Sequence, residues 1–114
     1  MAVLINMTEL RLSGETARVF DGFQYGDLNI SFFLIDAPSG EGPSLHAHPY
    51  EEIFVIQAGQ ATFTVGDATI EAAGGQIVIA PAGVPHKFIN SGTAQLRTIN
   101  IHPVSHMITE WLED

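Results

Sequence analysis

Residues 52–90 read EIFVIQAG-QATFTVGD-ATIEAAGG-QIVIAPAGVP-HKFIN, and this stretch decides the fold. Short runs rich in Ile, Val and Phe are cut by Ala58-Gly59, Gly66-Asp67, Gly74-Gly75 and Pro81. Runs of this length, punctuated roughly every eight to twelve residues, predict strands of a β-sandwich or barrel. The expected strands are 52–57, 60–65, 68–72, 76–80 and 86–90. Gly66 stands first in its turn, as a primed hairpin turn favours. Working outward, residues 28–36 and 95–102 continue the pattern. No long window shows a helical period. Residues 108–113 read equally as one helical turn or a final edge strand.

The rest of the composition bounds the function. The chain has 114 residues, room for one hydrophobic core and not two. A 46% hydrophobic fraction argues for a folded chain. There is no cysteine, which excludes disulfides, thiolate metal sites and thiol nucleophiles. Four Lys and Arg face thirteen Asp and Glu, for a net charge of −9. That balance predicts no nucleic-acid partner, because a phosphate backbone must be neutralised by cations. It equally predicts no anionic membrane surface as partner. Residues 1–7 lack the basic start and continuous apolar run of a signal peptide. A soluble, cytoplasmic protein is therefore expected.

Five histidines occur, at His46, His48, His86, His102 and His106. In a strand, His46 and His48 share one face, and Glu52 keeps that parity where no bulge intervenes. His86 opens a later strand. Three imidazoles and one carboxylate on inward faces of neighbouring strands suit one divalent transition metal per chain. The residue types leave Fe, Mn, Ni, Co, Cu and Zn all open. Glu51 has the opposite parity, so it points outward or accepts an imidazole N–H from outside the ligand set.

The wider pattern resembles the cupin family. Residues 40–59, GEGPSLHAHPYEEIFVIQAG, match its first motif in spacing and fixed positions. Residues 75–90, GQIVIAPAGVPHKFIN, match the second, and 60–74 form a short connection. The resemblance implies a single domain over 1–114. It implies an all-β, antiparallel β-barrel of the jelly-roll type with a metal near one mouth. It names His46, His48, Glu52 and His86 as the ligands. Asn90 is expected to close a turn on backbone groups.

Parity then selects pocket candidates. Phe54, Ile56 and Phe88 share the ligands' parity and are expected to wall the metal, although plain core packing also suits them. In 95–102 one face carries Leu96, Thr98, Asn100 and His102. Polar groups on both faces of that strand fit either a wet cavity or an edge position. Through the Ser91-Gly92 turn, Thr98 and Asn100 are expected beside the ligand strand, with His102 nearer a rim. Tyr50 reaches toward the cavity mouth. Arg97 and Lys87 are expected outside, and His106 in solvent.

Four protein ligands leave a coordination position for water or substrate. The expected activity is a metal-dependent oxygenase on a small oxygen-rich molecule. A metal-dependent isomerase or decarboxylase, and a non-catalytic sensor or binding protein, remain alternatives. A small-molecule ligand and a homodimer complete the expected partners. Residues 3–12 and the outward strand faces are the expected dimer contacts.

Overall fold

The computed structural model describes residues 2–113. Eleven strands run in order: β1 (Arg11–Ser13), β2 (Ala17–Phe20), β3 (Ser31–Ala37), β4 (His46–Ala47), β5 (Glu52–Ala58), β6 (Gln60–Val65), β7 (Ala68–Ala73), β8 (Ile77–Ala80), β9 (His86–Asn90), β10 (Leu96–His102) and β11 (Glu110–Trp111). Helical structure among the described residues is confined to two 3-10 turns, Met7–Glu9 and Gly22–Tyr25.

The strands form two sheets, a larger one ordered β1-β2-β3-β10-β5-β8 and a smaller one ordered β11-β4-β9-β6-β7. All pairings among the described residues are antiparallel. This is the all-β jelly roll the sequence predicts. The two sheets face each other, and among the described residues no ladder joins them into one closed barrel.

Alternation sets the interior. On β5, Glu52, Phe54 and Ile56 are buried, while Ile53 and Val55 lie half-exposed on the outer face. On β10, Leu96, Thr98, Asn100 and His102 are all buried. β10 is central, paired with β3 on one side and β5 on the other, so its polar inward face is not an edge effect. The apolar core gathers Phe54, Ile56, Phe63, Val78, Phe88 and Leu96 with Ala61, Ala72 and Ala80. It lies where β5, β8 and β10 face β6, β7 and β9. Phe54 packs edge-on to Phe63 at 5.0 Å and to Phe88 at 5.8 Å.

Four expectations change. The strand expected over 28–36 begins at Ser31, because Leu28 N–H is tied back to the Gly22 carbonyl. The β1–β2 hairpin was not expected; its strands are too short to show a period. His48 and Glu52 do not share a strand, since the chain crosses between β4 and β5 from the smaller sheet to the larger. The turn after Asn90 does not pair β9 with β10. It carries the chain between sheets, so Asn100 pairs with Phe33 and Phe54. Asn90 holds that crossing as expected, donating to the Ala37 and Ala94 carbonyls and accepting from Gly92 N–H.

The tail, undecided between turn and strand, pairs as edge strand β11. Glu110 lies opposite Ala47 and Trp111 opposite His46. The fully buried Ser31 hydroxyl helps hold the segment leading there, 2.9 Å from the Val104 carbonyl.

Candidate metal centre

Three short elements deliver the cluster. His46 lies on β4 with His86, the first residue of β9, as its register partner. His48 follows β4, and the turn around Gly83 braces it, with Gly83 N–H donating to the His48 carbonyl at 2.8 Å. Gly83 sits at φ +76°, a conformation glycine adopts without strain. Glu52 opens β5 from the facing sheet. All four side chains are buried, and one donor atom from each lies within 4.8 Å of the others.

The tautomers follow from the partners. His46 Nδ1 lies 2.7 Å from the Ser44 carbonyl, His48 Nδ1 2.7 Å from the Ile108 carbonyl, and His86 Nδ1 3.0 Å from the Val84 carbonyl. A carbonyl oxygen only accepts, so each Nδ1 carries a proton. In the neutral rings each Nε2 is then a bare lone pair. Backbone carbonyls orient metal-binding imidazoles in this way.

Those lone pairs meet a carboxylate. Glu52 Oε1 is 3.0 Å from both His48 Nε2 and His86 Nε2. His48 Nε2 is buried with no aligned hydrogen-bond partner despite that distance. Acceptors facing acceptors in a buried space are costly unless a cation lies among them. A proton relieves one nitrogen, whereas a divalent ion serves the three imidazoles and the carboxylate together. The donor set therefore fits a divalent transition metal.

The electrostatics agree. Burial works to raise the Glu52 carboxyl, but His102, His48 and His86 outweigh it and hold the group far below the usual carboxylate range. It is ionised at neutral pH. Burial chiefly lowers His46. At His86, burial is outweighed by Glu52 and the Val84 carbonyl, and the ring is raised.

His102 is no rim residue. It is 2% exposed, and its Nε2 lies 3.2 Å from Glu52 Oε2. Parity placed it inward, but the β10–β5 register puts it next to Glu52. Tyr50 holds its other side, with the hydroxyl 2.7 Å from His102 Nδ1. That hydroxyl also accepts Ile108 N–H at 3.2 Å. Burial pushes the Tyr50 phenol up to about 12, so it remains a donor.

A cavity of about 250 Å³ opens beside the cluster, on the side where β4 and β11 face β2 and β3. His46, His48, Glu52, Phe88, Asn100 and His102 all line it. Phe54 and Ile56, expected on its wall, are each 1% exposed and belong to the apolar core. The reason is lateral: β5 lies under β6 and β9, away from the open side. Phe54 still packs beneath the site, 5.7 Å from the His86 ring. Thr98 lies behind the wall and donates to Asn100 Oδ1 at 2.7 Å. Tyr50 also stands behind it, stacked on His48 at 5.1 Å. Glu51, Arg97 and His106 are exposed, as expected.

Phe33, Thr109 and Trp111 were not anticipated on the wall. The single tryptophan was a visible signal; its place depended on the undecided tail. The Ile108 carbonyl carried no signal, because a backbone group has no residue type.

The family described as cupin domain matches residues 33–102. An uncharacterized protein of Streptomyces coelicolor is 36% identical over 62 residues, 54% of this chain and 57% of that protein. The chain thus matches little more than half the length of that relative. An oxalate decarboxylase from Bacillus subtilis superposes with a TM-score of 0.81 at 22% identity, covering 93% of this chain and 30% of that one. An uncharacterized conserved protein with a double-stranded beta-helix domain from Klebsiella pneumoniae gives a TM-score of 0.74 at 19% identity, covering both chains fully. At these identities the two structures speak for the fold.

Proposed function

This chain belongs to the cupin domain family, and we propose that it is a metal-dependent enzyme acting on a small oxygen-bearing molecule, with oxygenase chemistry as its reaction class. The observation that carries this reading is the orphaned, buried His48 Nε2 beside the Glu52 carboxylate, in a cluster that lines a cavity. His46, His48, Glu52 and His86 would hold the ion. A bound divalent metal supplies Lewis-acid polarisation of oxygen ligands and, where it is redox-active, one-electron chemistry toward oxygen. The chain's own residues do the rest. Backbone carbonyls fix three rings, Phe54 and Phe88 keep water from the rear of the site, and Asn100 offers a polar contact on the wall.

Metal analysis of freshly purified protein tests the first half of this reading, with one equivalent expected per chain. Anaerobic iron loading followed by oxygen uptake over diketone, catechol and thiol substrates tests the second. One equivalent of metal with no oxygen consumption on any of them would exclude the oxygenase and leave a metal-dependent isomerase or decarboxylase, or a binding protein.

The proposed assembly is a homodimer. Ile77 and Ile79, on edge strand β8, are 63% and 58% exposed, and Ile53 and Val55 adjoin them on the same outer face. Bare apolar edges invite pairing, and a two-fold dimer is the commonest remedy. Light scattering is expected to give twice the chain mass at micromolar concentration.

A further inference from the structure

We propose that the cavity selects small, flat, largely apolar oxygen-bearing ligands with at most one negative charge, such as catechol, and rejects dicarboxylates. The inference rests on the metal reading above and specifies the occupant of the same site.

Charge is the first argument. The chain has four Lys and Arg in all. Arg11 is committed to Asp21, at 2.7 and 3.1 Å. Arg18 donates to the Thr8 and Leu10 carbonyls at 3.0 and 2.9 Å. Lys87 reaches Glu113 at 3.4 Å, and Arg97 is exposed on the outer face of β10. None of the four lines the cavity, whereas Glu41 and Glu52 do. A divalent ion less the single negative charge of Glu52 leaves one positive charge. A monoanion neutralises it. A dicarboxylate would leave an unpaired negative charge in a partly buried space, with Glu41 adding to the repulsion.

Shape and polarity give the second argument. Phe33, Phe88 and Trp111 line the cavity together with Ile35. Aromatic walls favour flat apolar rings by stacked or edge contacts. The Trp111 ring is 5.0 Å from His46 and 61% exposed, so it stands at the mouth with a face left to cover. A volume near 250 Å³ limits the occupant to a small molecule. Asn100 completes the fit. Its Oδ1 is occupied by the Thr98 hydroxyl, and its Nδ2 has no hydrogen-bond partner among the described residues. That leaves the two N–H donors of its amide free for a ligand oxygen.

The test uses catechol and oxalate as probes, with metal content measured first on the same sample. Binding is followed by calorimetry and by quenching of Trp111 fluorescence. Metal-loaded protein is expected to bind catechol at least tenfold more tightly than oxalate. Asn100→Ala should weaken catechol roughly fivefold, the loss of one hydrogen bond, with metal content unchanged. Thr16→Lys, which puts a cation on the cavity wall, should narrow or reverse the preference. Protein with a full equivalent of metal that binds oxalate as tightly as catechol overturns this inference alone. Protein that takes up no metal overturns the metal reading and this inference with it.

Discussion

The same three strands build two unlike environments. At one end, Glu52, His86 and His102 crowd ionisable groups into a buried space, and one residue pair further along Asn100 is still polar. At the other end, Ile56, Phe88 and Leu96 pack with Phe63 and Val78 as a dry core. The change takes only two residues along β5, from Glu52 to Phe54, and two along β9, from His86 to Phe88. The dry end pays for the wet one: burying carboxylate and imidazoles without a cation costs stability, which the apolar packing next door must exceed. The same packing holds ligand rotamers still, because close-packed interiors transmit displacement instead of absorbing it.

The largest expected effect breaks the dry end. Phe63 is fully buried between Phe54 and Phe88. Phe63→Ala should cost about 3–5 kcal/mol in denaturant unfolding. Metal loss should follow only because the protein unfolds. If metal is lost while the melting curve is unchanged, the two ends are less separable than their packing indicates.

Breaking the wet end should separate metal from fold. His48→Ala and His86→Ala are each expected to remove stoichiometric metal while retaining the strand signature in circular dichroism. A double variant that keeps a full equivalent would exclude these ligands. Acidification should act similarly, because the ligands bind unprotonated. His86 is raised, so protons compete there first and affinity declines as pH falls through the imidazole range. His46 is lowered and stays available further into acid.

A smaller effect tests what stands behind the ligands. Tyr50→Phe removes the hydroxyl that holds His102 and accepts Ile108 N–H. Metal affinity should fall, by no more than about 10-fold, because Tyr50 supports the ligand Glu52 only through His102 and the usual 10- to 100-fold loss applies to a ligand's direct partner. Unchanged affinity would mean that Glu52 is held without the His102 contact.

The smallest effect on monomer stability lies on the outside. Ile79→Lys, at an exposed edge position, should shift unfolding by no more than about 0.5 kcal/mol. It should nevertheless convert the proposed dimer to monomer in light scattering. A stable dimer in this variant would move the interface to another face.

Much of the fold was legible because short apolar runs are bounded by turns that carry Gly or Pro. The starts of β6, β7 and β9 fall where the pattern puts them. The β1–β2 hairpin was not legible, since three or four residues cannot establish a period. His46, His48, Glu52 and His86 were legible through residue type and motif spacing. His102 was legible in parity but not in place. Its approach to Glu52 depends on the register of β10 against β5, which is set by pairing over the full strand.

What the sequence determined by itself was therefore local: alternation, turn chemistry, the donor types, and a charge of −9 carried with only four cations. What the tertiary structure decided was which groups meet. It placed Phe54 and Ile56 wholly in the core, set Phe88 between core and cavity, and left Asn100 on the cavity wall, although all four share inward parity. It brought the Ile108 carbonyl to His48 Nδ1, 60 residues away in the chain. Parity assigns a side chain to a face. Only the lateral order of strands in two facing sheets says whether that face meets another sheet or an open space, and such contacts between distant residues leave no mark in a local pattern.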